Sequence, residues 1–217
     1  MTFSHRWNRF IYRLWAPVYD LLLRLHPVSR MRRKAMDLAD IADAGSILVV
    51  GVGTGADLPF LDASALVIGV DQSLPMLVRA TDTAARCRLC FVPVCSDATH
   101  LPFGDACFDA VVMTLFASVV PNPRECLQEA MRVVRPGGRL LVTDKFLPAG
   151  RKASILRRLL NLVTRPLGTD INRRWELMSA GLGTPVADEF FGRHGSFRVI
   201  VLRREATSPT PEMKSEI

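Results

Sequence analysis

Three glycines that follow an apolar run carry the clearest chemical pattern in this 217-residue chain. Residues 47–50 are apolar and lead into Gly51, Gly53 and Gly55, and the next apolar run ends at Asp71. Glycines let a backbone approach a ligand closely, and a helix that follows them offers free N–H groups. An acid after the second strand can accept both hydroxyls of a ribose. The spacing therefore predicts a site for an adenosine-containing cofactor.

The glycine pattern alone leaves the identity of the cofactor open. Gly51, Gly53 and Ala56 fit the G-x-G-x-x-G/A pattern that binds dinucleotides, with Asp71 at the expected distance. Gly51, Gly53 and Gly55 also fit the G-x-G-x-G loop of S-adenosylmethionine-dependent methyltransferases. A glycine-rich turn that binds no nucleotide is the third alternative.

Strands that alternate with helices must position these residues. Beyond the two strands beside the glycine loop, the apolar segments typical of strands are 89–95, 108–113, 140–144, 186–191 and 197–202. A Pro-Gly-Gly turn at 136–138 ends a helix and leads into the 140–144 strand. The alternation predicts an α/β fold with a parallel sheet and helices on both faces.

Asp97 follows the 89–95 segment in the sequence Ser96-Asp97-Ala98-Thr99. A carboxylate there can accept a hydrogen bond from the exocyclic amine of an adenine. The same residue can equally cap a helix or form an Asx-turn.

Five motifs in order resemble those of the class I S-adenosylmethionine-dependent methyltransferases: VVGVGTG, VIGVDQS, SDATHLPF, FDAVV and VVRPGG. The resemblance covers residues 36–145, about half of the chain. It implies a Rossmann-like fold with a seven-stranded, mostly parallel sheet, whose last strand is inserted antiparallel. It also implies S-adenosyl-L-methionine as the cofactor and S-adenosyl-L-homocysteine as its product.

The same resemblance implies which residues contact the cofactor. They are Gly51, Gly53, Thr54, Gly55, Asp71, Gln72, Met76, Asp97, Ala98 and Thr114. Among them, Asp71 is expected at the ribose, Asp97 at the adenine edge and Thr114 near the sulfonium. The chain departs from the family at Val49, where the family usually has a Glu that helps to hold the methionine end of the cofactor.

The charge of the chain is divided unevenly along its length. Residues 1–34 carry a net charge of +7, residues 35–150 carry −5 and residues 151–174 carry +6. The predicted catalytic core is therefore acidic, and two separate segments are strongly basic. This asymmetry predicts a polyanionic partner at one surface.

The first basic segment, residues 1–34, is expected to form amphipathic helices. The apolar and aromatic residues that share one helical stripe are Trp7, Phe10, Ile11, Leu14, Trp15 and Val18. Arginines lie off that stripe, a pattern that suits a lid helix lying in a membrane interface. A helix packed on the domain with solvated arginines fits the same pattern.

The second basic segment, residues 151–180, is expected to form a helical insertion after the fifth strand. The class I methyltransferase fold carries substrate-recognition insertions at that place. Arg173 and Arg174 are candidates for binding a substrate phosphate, because a guanidinium can bind a phosphate bidentately. Ordinary solvated helix charge is the alternative.

Two short stretches are similar to small bacterial phospholipid N-methyltransferases and to related quinone-biosynthesis methyltransferases: WAPVYD at 15–20 and GTDINRR at 168–174. The similarity implies methylation of the amine of phosphatidylethanolamine or its methylated forms at an anionic membrane surface, with Tyr19 as the catalytic residue that faces the site. A quinone-like or other soluble metabolite is the alternative acceptor, and a nicotinamide-dependent Rossmann enzyme is a more distant alternative. Nucleic acid is disfavoured, since Thr114-Leu115-Phe116-Ala117 stands where amino-methyltransferases of nucleic acids have Asn-Pro-Pro-Tyr.

Composition bounds the remaining expectations. Residues 35–205 are expected to form one methyltransferase domain, and residues 206–217 a disordered tail. The odd number of cysteines favours reduced thiols, and Cys87, Cys90 and Cys95 lack a fourth ligand for a metal. With no run of eighteen apolar residues and no secretory signal pattern, the expected location is cytoplasmic and peripheral on the inner face of the membrane.

Overall fold

The computed structural model describes residues 26–147, 159, 161, 170–192 and 197–205. The helices are α1 (His26–Ala39), α2 (Leu74–Cys87), α3 (Pro123–Val133) and α4 (Trp175–Met178). The strands are β1 (Ser46–Val50), β2 (Leu66–Asp71), β3 (Cys90–Cys95), β4 (Phe108–Thr114), β5 (Val134–Asp144), β6 (Pro185–Phe191) and β7 (Phe197–Arg203). These elements do not test the predicted domain limits at 34, 151, 180 and 205. Most of the first basic segment (1–34), most of the second (151–180) and all of the predicted tail (206–217) lie outside the described residues.

The seven strands form one sheet in the order β3-β2-β1-β4-β5-β7-β6. Strands β1 to β5 are mutually parallel, and β7 is antiparallel to both of its neighbours. The strand order reverses beside β1, since β2 and β3 lie on one side and β4 and β5 on the other. This topology confirms the predicted fold, including the antiparallel insertion of the last strand.

Both faces of the sheet are buried, as the apolar runs predict for parallel strands. In β1, Ile47 and Val49 belong to an apolar cluster with α1 and α2. Leu48 and Val50 belong to the opposite cluster with α3 and α4. The alternation of neighbouring side chains between the two clusters gives a three-layered domain with the sheet in the middle.

The prediction of a helix directly after the glycine loop is wrong. In its place the chain forms a 3-10 turn of three residues, Leu58–Phe60. Pro59 has no N–H, and the Leu58 N–H already donates to the Gly55 carbonyl over 3.1 Å. Residues 56–65 connect the loop to β2, and among them only Leu58–Phe60 form a helical turn. The glycine loop therefore lacks the row of free helical N–H groups that was expected there.

The Pro-Gly-Gly turn lies at the start of β5, where the chain passes very close to its neighbours. A Cβ added to Gly138 would lie 2.6 Å from the Asp109 carbonyl oxygen and 3.0 Å from the Arg135 carbonyl oxygen. At Gly45, by contrast, a Cβ would meet only a side-chain oxygen of Asp109, at 3.5 Å. Gly138 is therefore required for packing, and Gly45 is not.

We expect Gly138→Ala to lower the free energy of unfolding by about 1–3 kcal/mol, because backbone atoms must move apart to admit the methyl group. Gly45→Ala is the matched control and should be neutral or stabilising by up to about 1 kcal/mol. Urea denaturation followed by circular dichroism measures both. Equal midpoints for the two variants would contradict the close packing at Gly138.

Candidate active site

The predicted cofactor residues meet at the carboxyl edge of the sheet, where the strand order reverses. Gly51 follows β1, Asp71 ends β2 and Thr114 ends β4. Ligands of open parallel α/β sheets bind in the crevice at such a reversal. Asp97 lies two residues after β3, at the same edge.

The glycine loop turns sharply and leaves open space on its outer side. Gly51 has a φ of +69° and Gly53 a φ of +54°, backbone conformations that favour glycine. A Cβ on Gly51 would overlap the ring of Phe116, so this position also needs glycine for packing. A Cβ on Gly53 would meet only the Gly51 carbonyl oxygen, at 4.0 Å. The loop therefore offers a cradle that a ligand can enter beside Gly53.

Asp71 connects the glycine loop to the end of β2. Its Oδ2 accepts the Gly53 N–H over 3.0 Å, and its Oδ1 accepts the Ser73 N–H over 2.9 Å. Burial raises the pKa of the Asp71 carboxyl, and these two backbone N–H groups oppose the shift. Because each carboxylate oxygen can accept more than one hydrogen bond, the group can still accept ribose hydroxyls.

Asp97 forms the Asx-turn that the sequence left as an alternative to adenine binding. Its Oδ1 accepts the Thr99 N–H and the Thr99 hydroxyl, both over 2.9 Å. These bonds fix the carboxylate at the sheet edge, next to the buried Ala98. The turn and an adenine contact are compatible, because one fixed carboxylate offers several acceptor positions.

Gln72 and Met76 lie directly after Asp71, at the start of α2, and both are half-buried. The Met76 N–H donates to the Ser73 carbonyl over 2.9 Å, which closes the first turn of the helix. This position close to Asp71 agrees with the place expected for both residues along the adenine. The contact of Gln72 and Met76 with the adenine stays a prediction.

A buried ion pair that the sequence analysis missed lies behind the loop. Arg32 of α1 and Asp57, 5% and 4% exposed, are joined by a 2.8 Å bond from Nε to Oδ1. Burial raises the pKa of the Asp57 carboxyl, and the Arg32 guanidinium opposes this shift. Nothing in the local sequence pairs residues 25 positions apart, so only the folded chain reveals the pair.

The Thr114 hydroxyl is the orphaned polar atom of the site. Thr114 is 7% exposed and lies close to the Asp57 carboxylate, yet its Oγ1 makes no hydrogen bond of good geometry within the part of the chain that the structure describes. Buried hydroxyls without partners are costly, so an unpaired one at a sheet edge indicates a place for a ligand atom. The orphaned hydroxyl and the cradle beside Gly53 fit the cofactor that the sequence predicts.

Val49 stands where the family usually has a Glu that helps to hold the methionine end of the cofactor, and the structure confirms that this contact is missing there. The side chain is 1% exposed and packs in the apolar cluster on the α1 and α2 face of the sheet. It has no polar atom to offer a ligand. Any acid that holds the methionine end of the cofactor must therefore come from elsewhere in the chain.

The predicted substrate residues are only partly visible. Tyr19 lies outside the described residues. Arg173 is half-buried and donates from Nη1 to the Ala117 carbonyl over 2.7 Å and from Nη2 to the Val120 carbonyl over 2.6 Å. This guanidinium holds the segment before α4 against the loop that follows Thr114. Binding of a phosphate by Arg173 or by the half-buried Arg174 stays a prediction.

The described part of the chain shows neither a metal site nor a membrane-spanning helix. Its His, Cys, Asp and Glu side chains include no group of three arranged to hold a metal ion. None of its helices is long and apolar enough to cross a membrane.

Comparison with known protein families agrees with this geometry. Residues 48–142 match the family model described as a methyltransferase domain. A phosphatidylethanolamine N-methyltransferase of Cereibacter sphaeroides is 37% identical over 139 residues, which are 62% of this chain and 66% of that protein. A demethylmenaquinone methyltransferase of Paenarthrobacter aurescens is 35% identical over 133 residues, 59% of this chain and 51% of that protein. The matched region thus spans no more than 66% of the length of either relative.

Solved structures share the fold at low sequence identity. An S-adenosylmethionine-dependent methyltransferase of Thermotoga maritima is 19% identical, with a TM-score of 0.69 over 90% of this chain and 99% of that chain. The [4+2]-cyclase SpnF is 18% identical, with a TM-score of 0.72 over 91% of this chain and 95% of that chain. A fold that a cyclase also adopts does not by itself specify the reaction. The family match, by contrast, resolves the ambiguity of the glycine loop in favour of S-adenosylmethionine.

Asp71→Ala should weaken binding of S-adenosylhomocysteine by about 1–3 kcal/mol, because two ribose hydroxyls would lose their buried acceptor. Asp43→Ala removes an exposed acid away from the site and is the matched control. Isothermal titration calorimetry measures both affinities. An Asp71→Ala affinity equal to that of the control would refute the ribose contact.

Thr114→Val should weaken binding of S-adenosylhomocysteine by about 1 kcal/mol, while the free energy of unfolding of the free protein changes little. The reason is that the hydroxyl lacks a good partner until the cofactor binds. Thr143→Val is the control, since its buried hydroxyl is also unpaired within the described residues but is fully enclosed, 0% exposed. If both variants kept the wild-type affinity, Thr114 would have no part in binding.

Proposed function

The chain carries a class I S-adenosylmethionine-dependent methyltransferase domain, and we propose that it methylates the amine of a phospholipid headgroup at a membrane surface. The acceptor is phosphatidylethanolamine or one of its methylated forms. The polyanionic partner is an anionic membrane surface, and the protein lies on the inner face of that membrane as a peripheral enzyme.

The observation that carries this proposal is a basic segment whose last residues, on α1, are joined to Asp57, two residues after the glycine loop. Residues 1–34 carry a net charge of +7, and three of their basic side chains, Arg30, Arg33 and Lys34, are exposed on α1. The neighbouring Arg32 anchors the same helix to Asp57, behind the glycine loop. Each basic side chain near an anionic lipid surface contributes about 1 kcal/mol of attraction. Such a segment would hold the opening of the site against lipid headgroups.

The relatives support two acceptors. The name of the Cereibacter protein favours an amine of a phospholipid, and the name of the Paenarthrobacter protein favours demethylmenaquinone. Both acceptors are embedded in membranes, so a cationic membrane-facing segment serves either. The phospholipid agrees better with the concentration of arginine around α1, because its headgroup carries a phosphate that a guanidinium can bind. A methyltransferase for demethylmenaquinone is therefore the second candidate.

The proposed mechanism assigns orientation and desolvation to the protein. When bound, the cofactor supplies an electrophilic methyl group on its sulfonium. Asp71 would hold the ribose and Asp97 the adenine edge, and Thr114 would lie near the sulfonium, so these residues would orient the cofactor for transfer of its methyl group. The amine must lose its proton before it can attack. Tyr19 is the proposed group beside that amine, as a hydrogen-bond acceptor or through its aromatic face.

We expect the protein to transfer labelled methyl groups from S-adenosylmethionine to phosphatidylethanolamine in mixed vesicles, because the basic segment brings the site to the headgroups. Thin-layer chromatography of the extracted lipids identifies the product. Vesicles that contain demethylmenaquinone in phosphatidylcholine form the parallel assay. Label on the quinone and none on the phospholipid would contradict the proposal and establish the second candidate.

Tyr19→Phe is the matched variant in the same assay. It should lower turnover while the affinity for S-adenosylhomocysteine stays within a few-fold of wild type, since the phenol acts on the acceptor. Unchanged turnover would exclude Tyr19 from the mechanism without affecting the identity of the acceptor.

A further inference from the structure

A cavity lined by arginines lies between α1 and α2, on the flank of the glycine loop. Its volume is about 590 Å³, within the range of about 300–1,000 Å³ that is usual for small-molecule sites. Arg32 lines it from α1, and Arg79 and Arg86 line it from α2. Of the cofactor residues predicted above, only Thr54 and Gly55 lie in its wall, so the cavity is largely separate from the cofactor site.

The short turn after the glycine loop forms one wall of this cavity. Pro59 and Phe60 of the 3-10 turn Leu58–Phe60 line it, and the Arg33 guanidinium lies 5.4 Å from the centre of the Phe60 ring. The cavity therefore borders this turn on one side and α1 on another.

The polar groups of the cavity suit an anion. Three guanidinium groups line it against one exposed acid, Asp82. The pair of Arg32 with Asp57 uses Nε of Arg32, the nitrogen nearest the aliphatic stem. That bond engages neither of the two terminal nitrogens of Arg32, and Arg32 lines the cavity. Among the residues that line the cavity, three arginines therefore stand against one acid.

Thr83 holds one of these guanidinium groups in place. Arg86 donates from Nη2 to the Thr83 hydroxyl over 2.9 Å. That hydroxyl lies 2.9 Å from the Thr54 carbonyl oxygen and 3.0 Å from the Arg79 carbonyl oxygen, and its one proton can be donated to either. This chain of hydrogen bonds runs from the cavity to the glycine loop. A guanidinium that is already oriented loses less entropy when it binds a phosphate, and phosphate is the anion whose geometry its fork matches.

We propose that this cavity binds a phosphate ester at Arg32, Arg79 and Arg86. The ligand is either the phosphate of a lipid headgroup or a free phosphate compound, since both present the same group to the guanidinium fork. The site lies outside the cofactor-binding residues except for the shared edge of the loop. It does not depend on which acceptor the enzyme methylates.

The test compares two double variants with equal loss of charge. Arg79→Gln/Arg86→Gln removes two guanidinium groups from the cavity, and Arg88→Gln/Arg124→Gln removes two exposed arginines outside it. Each protein is first saturated with S-adenosylhomocysteine, so that the cofactor site is filled. One arm titrates inorganic phosphate by calorimetry at low ionic strength. The other measures co-sedimentation with vesicles of phosphatidylglycerol and phosphatidylcholine.

We expect the cavity variant to bind at least one probe about ten-fold or more weakly than the control variant, because two charge-assisted contacts are lost. Loss with inorganic phosphate alone identifies a free phosphate as the ligand, and loss with vesicles alone identifies a headgroup. The proposal is overturned if wild-type protein binds neither probe, or if both variants bind both probes equally. Thermal unfolding and titration of S-adenosylhomocysteine, expected to be unchanged, verify that the cavity variant is folded.

Discussion

The parallel pairing of β1 with β2 on one side and β4 on the other is the constraint on which the whole site depends. Val50 lies opposite Val70, and Val49 lies opposite Val112, so three strands end at one edge in a fixed register. A slip of one residue would turn every side chain of β1 to the wrong face. The two apolar clusters prevent that slip, because each holds alternate residues of β1. The glycine loop, Asp71 and Thr114 meet only because this register is fixed.

Electrostatics divides the molecule into an acidic site and a basic flank. Asp57 and Asp71 are carboxylates whose pKa is raised by burial, so each needs a compensating donor. Backbone N–H groups serve Asp71, and Arg32 serves Asp57. Since Arg32 belongs to the helix that continues the basic N-terminal segment, one ion pair joins the surface charge to the interior of the site. Placement of α1 and organisation of the loop are therefore coupled.

Much of the fold and of the cofactor site was predictable because both depend on local patterns. Apolar runs that end in glycine or aspartate mark where parallel strands finish, and Gly51 and Asp71 lie where those patterns indicated. The 3-10 turn was missed because the glycine pattern suggests a helix, and a proline such as Pro59 does not distinguish the two, since α2 and α3 also have a proline in their first turn. The contact between Arg32 and Asp57, and the bonds from Arg173 to the Ala117 and Val120 carbonyls, were not predictable, since they join residues far apart in sequence.

We infer that the folded chain binds S-adenosylmethionine at the carboxyl edge of the sheet, and we propose that this edge faces a membrane. Calorimetric titration with S-adenosylhomocysteine, with and without vesicles of anionic lipid, tests both parts at once. We expect binding in the micromolar range that the vesicles strengthen, because the anionic surface would attract the basic residues of the segment that continues into α1. Absence of binding under both conditions would contradict the cofactor site, and binding that the vesicles leave unchanged would contradict the membrane-facing edge.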